Sequence, residues 1–259
     1  MNDILQLKNK AIVIMGIANE RSLAWGVAKV LHDAGAKLIF TYRKERSLSK
    51  LTDLLAKHEI AAKLVVACDV SNDDSIKTAF NSIGEKVGKI DGIVHAIAFA
   101  HGEDLHGDFI DTSRDGYAFA QDTSAYSLIA VSREARPHLT DGASIVTMSA
   151  LGAERVLEGY KVMGVAKAAL ESTCKHLALD LGESNVRINA ISAGPIRTLA
   201  AKGIPSFQRM LQEAKAKAPL KRNVTQEEVA NMTMMLLSPI SSGVTGEVLH
   251  VDAGYNIMG

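Results

Sequence analysis

Short apolar, β-branched runs recur along the chain at Ala11–Met15, Leu38–Thr41, Lys63–Ala67, Ile90–His95, Ser144–Met148, Val186–Ser192 and Val248–Val251. Runs this continuous predict strands buried on both faces, the habit of parallel sheets. The longer segments between them change to a helical period, as in Leu23, Val27, Val30 and Leu31 early on and Val229, Met232, Leu236 and Leu237 near the end. Strand and helix in alternation predict an α/β protein, a single-domain doubly wound parallel sheet of Rossmann-like form with helices on both faces. No Ser/Gly-rich linker, low-complexity block or repeat interrupts residues 1–259, so one domain is expected.

Composition narrows the classes of function. With 47% hydrophobic residues in 259, the chain can bury a sizeable core. Its 29 basic and 29 acidic residues cancel, so no global field draws it to nucleic acid or to an anionic membrane, and any anion site is local. Cys68 and Cys174 each sit in an apolar stretch without a CxxC spacing, which predicts buried free thiols. His95, His101 and His106 lack a metal-like partner set; His95 reads as a satisfied core histidine, and no metal is assigned. The Met232, Met234, Met235 cluster reads as core or subunit interface. No secretory pattern and no run of about eighteen apolar residues is present, so a cytoplasmic protein without a membrane span is expected.

In sheets of this class, ligands lie beyond the carboxyl ends of the strands. After the first strand come Gly16 and then Ser22 and Leu23, which is not GxGxxG but keeps a glycine at the strand exit and a Ser able to cap the next helix. Plain turn chemistry explains Gly16 equally well. The second strand is followed by Arg43, Lys44 and Arg46, where a site for NAD would place an acid; this cationic patch suits the 2′-phosphate of NADPH, with NADH possible. The bland alternative is a solvated helix start. Asp69 and Val70 close the third strand and Ile97 follows the fourth; Asp69 reads equally as the cap of a helix beginning near Asn72.

Tyr160 and Lys167 lie seven residues apart, two helical turns or about 10.5 Å along an axis and nearly on one face. A lysine beside the nicotinamide ribose can favour an ionised or strongly hydrogen-bonding phenol, which makes Tyr160 the candidate acid. In isolation such a pair is coincidence in most proteins; its setting decides.

That setting closely resembles the short-chain dehydrogenase/reductase superfamily and, within it, the bacterial NAD(P)H-dependent enoyl-[acyl-carrier-protein] reductases. The carriers are MGIANERSLAWG, HAIAFA, YKVMGVAKAAL, RINAISAGPIRTLAAKG and SGVTGEVLHVDAGY, which span essentially the whole chain. The resemblance implies catalytic Tyr160 and Lys167. It implies cofactor contacts at Gly16, Ser22, Leu23, Arg43, Lys44, Asp69, Val70, Ile97, Lys167, Ile196 and Thr198, and substrate contact at Ala100 and Tyr160. It further implies reduction of a trans-2-enoyl thioester on acyl carrier protein in fatty-acid elongation, a homotetramer, and a substrate-covering lid around residues 197–218.

Ketoreductases of the superfamily carry a Tyr four residues before the Lys and a Ser or Thr near the end of strand five, where this chain has Met163 and Ala150. The spacing therefore favours carbon–carbon double-bond reduction. The enoyl reductases normally carry a further tyrosine in the strand-five motif, where Ala150 stands. That departure keeps two alternatives open: a reductase of another carbonyl or enone, and a catalytically weak nucleotide-binding homologue.

Overall fold

The computed structural model describes residues 4–259. In chain order the strands are β1 (Ala11–Met15), β2 (Lys37–Tyr42), β3 (Leu64–Ala67), β4 (Ile90–His95), β5 (Leu139–Ser149), β6 (Arg187–Ala193) and β7 (Val248–Val251). The helices are α1 (Leu23–Asp33), α2 (Glu45–Lys57), α3 (Asp73–Lys86), α4 (Arg114–Gln121), α5 (Ser127–Ala135), α6 (Lys161–Gly182), α7 (Phe207–Lys217) and α8 (Gln226–Leu237). The strands form one 7-stranded sheet in the order β3-β2-β1-β4-β5-β6-β7, with every pairing parallel. Strand order reverses between β1 and β4, so the crevice beyond their carboxyl ends is the place for a ligand.

Successive side chains of a strand point to opposite faces, and the core divides accordingly. Val13, Ile93, Ile145 and Ile188 pack with Ile76 and Phe80 of α3, Leu128 of α5 and Leu170 of α6. Ile12, Ile14, Val94, Val146 and Ile191 pack on the other face with Trp25 and Leu31 of α1, Leu51 of α2 and Val229 and Leu236 of α8. Met232, Met234 and Met235 lie partly buried against this second cluster.

Two sequence expectations change. β3 and β7 are half-buried rather than fully buried, because they are the edges of the sheet and each has a strand on one side. β5 begins at Leu139, earlier than the apolar run, because Leu139 pairs with Ile90 while Thr140, Asp141 and Gly142 form an irregularity that hydropathy reads as loop. Strand and helix pairing also reaches across sequence: the Gln226 amide at the start of α8 donates to the carbonyls of Glu20 at 2.9 Å and Ser22 at 2.6 Å, tying α8 to the loop after β1.

His95 ends β4 with no solvent exposure, its Nδ1 3.0 Å from Thr147 Oγ1 on the neighbouring strand and its Nε2 3.0 Å from Ser127 Oγ on α5. Ser127 donates its proton to the Thr123 carbonyl at 2.7 Å, so it accepts from His95 Nε2–H, and the Thr147 hydroxyl, within 3.0 Å of Nδ1 and 3.1 Å of the His95 carbonyl, is the donor shared between those two acceptors. The imidazole is a neutral, satisfied core group, as the sequence suggests. Burial foremost, with the charge of Lys167 adding to it, pulls its pKa down to about 3.

Because an unfolded histidine titrates near 6.5, the unfolded chain holds an extra proton below that pH. Stability from this group is complete above about pH 6.5 and is lost as pH falls toward about 3, by about 1.4 kcal/mol per unit. Urea unfolding at steps from pH 7 to 5 should show this loss in the native protein and a shallower slope, by about one proton, in His95→Gln; equal slopes would refute the assignment.

Candidate active site

Gly16 closes β1 with φ +95, a left-handed conformation, and a Cβ built there meets the Ala96 carbonyl oxygen, at the exit of β4, at 2.0 Å. The chain at the switch point thus passes so close to its neighbour that no side chain fits. Ser22 occupies the N-cap position of α1, but its hydroxyl does not cap the helix. It turns back and accepts from the amides of Ala18 at 3.0 Å and Asn19 at 3.1 Å, which shapes the loop between Gly16 and the helix. With both acceptor sites filled, the hydroxyl proton of this buried serine remains to be offered to an anion.

The next strands supply the charged rim. Arg43 Nε donates to Asp69 Oδ2 at 2.9 Å, a contact that does not use the terminal guanidinium nitrogens. Asp69 is not the cap of α3; Asn72 takes that role, accepting from Ser75 N at 2.9 Å. Asp69 instead accepts from Ser71 and Arg43, and although burial acts to raise its carboxyl, these bonds outweigh it and hold it below the usual range. Lys44 is the N-cap residue of α2 and is exposed. Val70 is buried and Ile97 partly so, both in the cluster that packs against β1 and β4. Leu23 and Ile196 pack partly buried on the opposite cluster. Thr198 Oγ1 accepts from Ala201 N at 3.1 Å and so holds the turn Ala200–Gly203.

The structure therefore distributes the predicted cofactor residues along the carboxyl ends of β1, β2, β3, β4 and β6. A closed glycine turn, a helix N-terminus beside it and a cationic rim after the second strand are features that could hold a dinucleotide, the turn at its pyrophosphate and the rim at its adenosine ribose.

The reacting side of the crevice is built by β5 and α6. Lys167 is buried, and its Nζ donates to the Met148 carbonyl at 2.5 Å. Burial pulls the ammonium down to about 8, against the opposing charge of Glu171 one turn further along the helix. Tyr160 stands at the N-cap of α6, between Gly159 at φ +79 and Lys161 at φ +40. Its spacing to Lys167 thus begins one residue before the regular helix, and the two left-handed neighbours set the direction of the ring. Space for that ring comes from Gly152, where a Cβ would meet Tyr160 Cδ1 at 2.1 Å, and Gly164 in turn packs on the Gly152 carbonyl. Tyr160 and Ala100 share one small apolar cluster with Leu105, Val162, Met163 and Ala166.

Burial, reinforced by Glu171, pushes the Tyr160 phenol above its ordinary value. The sequence expectation, a phenol made ionised or strongly hydrogen-bonding by a lysine beside the nicotinamide ribose, concerns the cofactor-bound site; burial here favours the protonated phenol, the form able to donate a hydrogen bond. Ala150, between Ser149 and the turn Leu151–Ala153, has extended backbone, and Ser149 Oγ donates to Glu171 Oε1 at 2.5 Å. Ser149 is thereby committed to the α6 side of the sheet and does not stand in for a second phenol.

Sequence reasoning missed two groups. A π-helical turn, Asp122–Tyr126, joins α4 to α5. From it Ser124 Oγ accepts from Phe99 N at 3.0 Å and donates to Phe99 O at 3.2 Å, fixing the peptide next to Ala100. Glu171 was also missed, though an acid one turn after Lys167 on a face of small and apolar residues was its available signal. His101 stacks on Phe119 with ring centroids 4.5 Å apart, and no group able to hold a metal ion occurs among the described residues.

The segment 197–218 contains the turn Ala200–Gly203 and α7. It is fastened to the residues just before Tyr160: Ser206 Oγ donates to the Glu158 carbonyl and Arg209 pairs with Glu158 at 2.9 Å.

Residues 16–256 match the family model described as enoyl-(acyl carrier protein) reductase. An enoyl-[acyl-carrier-protein] reductase [NADH] of Bacillus cereus is 53% identical over 98% of this chain and 99% of its own length. One of Staphylococcus aureus, named for NADPH, is 54% identical over the same shares. A crystal structure of the Bacillus cereus enoyl-acyl carrier protein reductase with NADP+ and indole naphthyridinone superposes with a TM-score of 0.95 at 52% identity, covering 98% of each chain.

Gly16 and Gly88 separate backbone strain from steric closure, because both have positive φ but a Cβ at Gly88 meets nothing within 4 Å. Gly88→Ala should cost about 1–2 kcal/mol of unfolding free energy from strain alone. Gly16→Ala should cost at least about 2 kcal/mol more, because the Ala96 backbone must move. Equal costs in denaturant unfolding would show that the β1–β4 approach is not rigid.

Proposed function

We propose a residue-by-residue reading of the reaction for a chain that belongs to the enoyl-(acyl carrier protein) reductase family. The activity is NAD(P)H-dependent reduction of an enoyl thioester carried on acyl carrier protein. The relatives described above bear no name of a carbonyl reductase or regulatory subunit, so neither alternative from the sequence gains support. The observation that carries the mechanism is the buried Lys167 held on the Met148 carbonyl at the end of β5, on the helix that Tyr160 begins, with Tyr160 packed in one cluster with Ala100.

When bound, the nicotinamide supplies the hydride that adds to the β-carbon of the trans-2-enoyl thioester. Tyr160 donates its hydrogen bond to the thioester oxygen as negative charge develops there, a contact stronger in the transition state than in the ground state. Lys167 places positive potential under the same oxygen and holds the nicotinamide ribose. A proton from water then completes the α-carbon as the enolate collapses to the saturated thioester. Ala100, with its neighbour Phe99 fixed by Ser124, forms the opposite wall. Ser149–Ala153 contributes no phenol, so Tyr160 makes the oxygen contact without a partner from that segment.

Gly16, Ser22, Leu23, Val70, Ile97, Ile196 and Thr198 line the cofactor course, and Arg43 with Lys44 meets the 2′-phosphate of NADPH. Relatives are named for either nucleotide, so the rim sets preference rather than use. Residues 197–218 act as the lid of a single reductase domain, supported by the fastening of Ser206 and Arg209 to Glu158. A homotetramer is supported by apolar side chains exposed on successive segments, Tyr126 of the π-helical turn, Ile129 of α5, and Val165 and Leu179 of α6. A cytoplasmic location accords with this chemistry, and among the described residues no helix is long and apolar enough to cross a membrane.

Following NADPH absorbance with a trans-2-enoyl thioester should show oxidation by the native protein and a fall in kcat of about 10²-fold or more in Tyr160→Phe, the scale of general-acid and oxyanion contacts. Native-like turnover in the variant would remove Tyr160 from the chemistry. Arg43→Ala should raise KM for NADPH about tenfold while leaving KM for NADH within about twofold, since a charge-assisted contact contributes about 1.5–3 kcal/mol. Parallel loss of both nucleotides would place Arg43 elsewhere.

A further inference from the structure

Glu171 is a buried carboxyl, 8% exposed, that the proposed chemistry leaves without a role. It lies four residues after Lys167 on the face of α6 that meets the sheet. Two consecutive residues at the end of β5 are gripped from this helix: the Met148 carbonyl by Lys167 Nζ and the Ser149 hydroxyl by Glu171 Oε1, each at 2.5 Å. The segment that follows carries Ala150 and then Gly152, against which the Tyr160 ring packs.

The surroundings are polar in an ordered way. Ser149, Ser192 and His250 are register partners across β5, β6 and β7, so their side chains line one face of the sheet, the face Glu171 approaches. Ser192 Oγ is buried with no hydrogen-bond partner, and His250 Nε2 sits 2.7 Å from Glu154 Oε1 at the exposed end of the row. The charged and titratable groups facing Glu171 are Tyr160, Lys167, Cys174 and Lys175 of its own helix, Glu154 of the turn after β5 and His250 of β7. Of these, Lys167 and Tyr160 are the pair at the reacting oxygen.

We propose that Glu171 is a positioning residue for the reduction: it acts through Lys167, whose positive charge it sustains in a buried setting, and through Ser149, which anchors the strand end beside Tyr160. The inference rests on the reductase reading for its kinetic consequence, and on the fold alone for its electrostatic one. Burial works to discharge Lys167, and the Glu171 carboxylate opposes that loss. Removing the negative charge therefore moves Lys167 further toward the neutral amine, so the alkaline limit of function falls. Burial foremost raises the Glu171 carboxyl above its ordinary value and the Ser149 hydroxyl opposes this, favouring the ionised form, so losing that hydroxyl acts in the same direction more weakly.

The test compares native protein, Glu171→Gln and Ser149→Ala by two readouts across pH 6 to 10. The first is kcat with NADPH and the trans-2-butenoyl thioester of coenzyme A; the second is NADPH binding by its own fluorescence, without thioester. In Glu171→Gln the alkaline limbs of both profiles should move down by about one pH unit, the effect of losing an opposite charge nearby. In Ser149→Ala both should move the same way by less. If Glu171→Gln does not fold, as circular dichroism would show, Ser149→Ala carries the test. Native-like limbs in every folded variant would overturn the proposal. Native protein that binds NADPH without oxidising it would instead overturn the reductase reading, and the binding profile would still decide the role of Glu171.

Discussion

A charged amine held inside an apolar interface sets the terms for the reacting half of this molecule. Taking an ammonium out of water without compensation costs several kcal/mol or more, and the structure offsets that with the Met148 carbonyl and the nearby Glu171 carboxylate. The carbonyl lies at the carboxyl end of β5, one residue past its last pairing with β4, His95 with Thr147. Helix α6 must then come close enough for Lys167 to reach it, and Gly164, Ala166, Ala168 and Ala169 keep the helix surface low on the relevant turns. Gly164 rests against the Gly152 carbonyl so closely that a Cβ there would come within 2.7 Å. The same approach leaves the slot that Tyr160 fills. One buried charge thus dictates strand length, helix composition and ring position together.

The fold was legible because hydrophobic burial writes a period into sequence. Doubly buried strands such as β1 and β4 gave continuous runs, and amphipathic α1 and α8 gave the helical spacing. Edges were less legible: Leu64–Ala67 and Val248–Val251 are as apolar as central strands, and nothing local tells a strand that it has a single neighbour. In the site, residue identity was readable but partnership was not. Ser22 stands where a cap belongs, yet its hydroxyl serves the preceding loop, and Asp69 yields the cap to Asn72 because Arg43, distant in sequence, claims its carboxylate. The π-helical turn left no trace in the pattern, since one widened turn has no period of its own.

That turn is also what makes the two walls of the crevice differ in kind. On the α6 side the geometry is held by charge and close backbone approach. On the β4 side it is held by hydroxyls: Ser124 on the Phe99 peptide, and Ser127 with Thr147 on His95. The widened turn directs Ser124 to the loop after β4 and places the Thr123 carbonyl to receive Ser127, so one irregularity serves both contacts.

Ala150 gives this division its functional weight. A tyrosine at that position would add an aromatic wall at the end of β5 and a second donor near the thioester oxygen; a methyl group supplies neither. Ser149 cannot compensate, because its hydroxyl is spent on Glu171. On the proposed reading, orientation of the thioester then depends on the remaining surfaces: the Tyr160 ring packed on Gly152, the Ala100 wall behind Phe99, and the segment 197–218 fastened to Glu158. Misorientation by a fraction of an ångström is costly in a hydride transfer, where the reacting atoms must be aligned before the barrier is crossed. The rigid devices found on both sides, the lysine clamp on β5 and the serine clamp on β4, are therefore the parts of the site on which a chain lacking that tyrosine relies most.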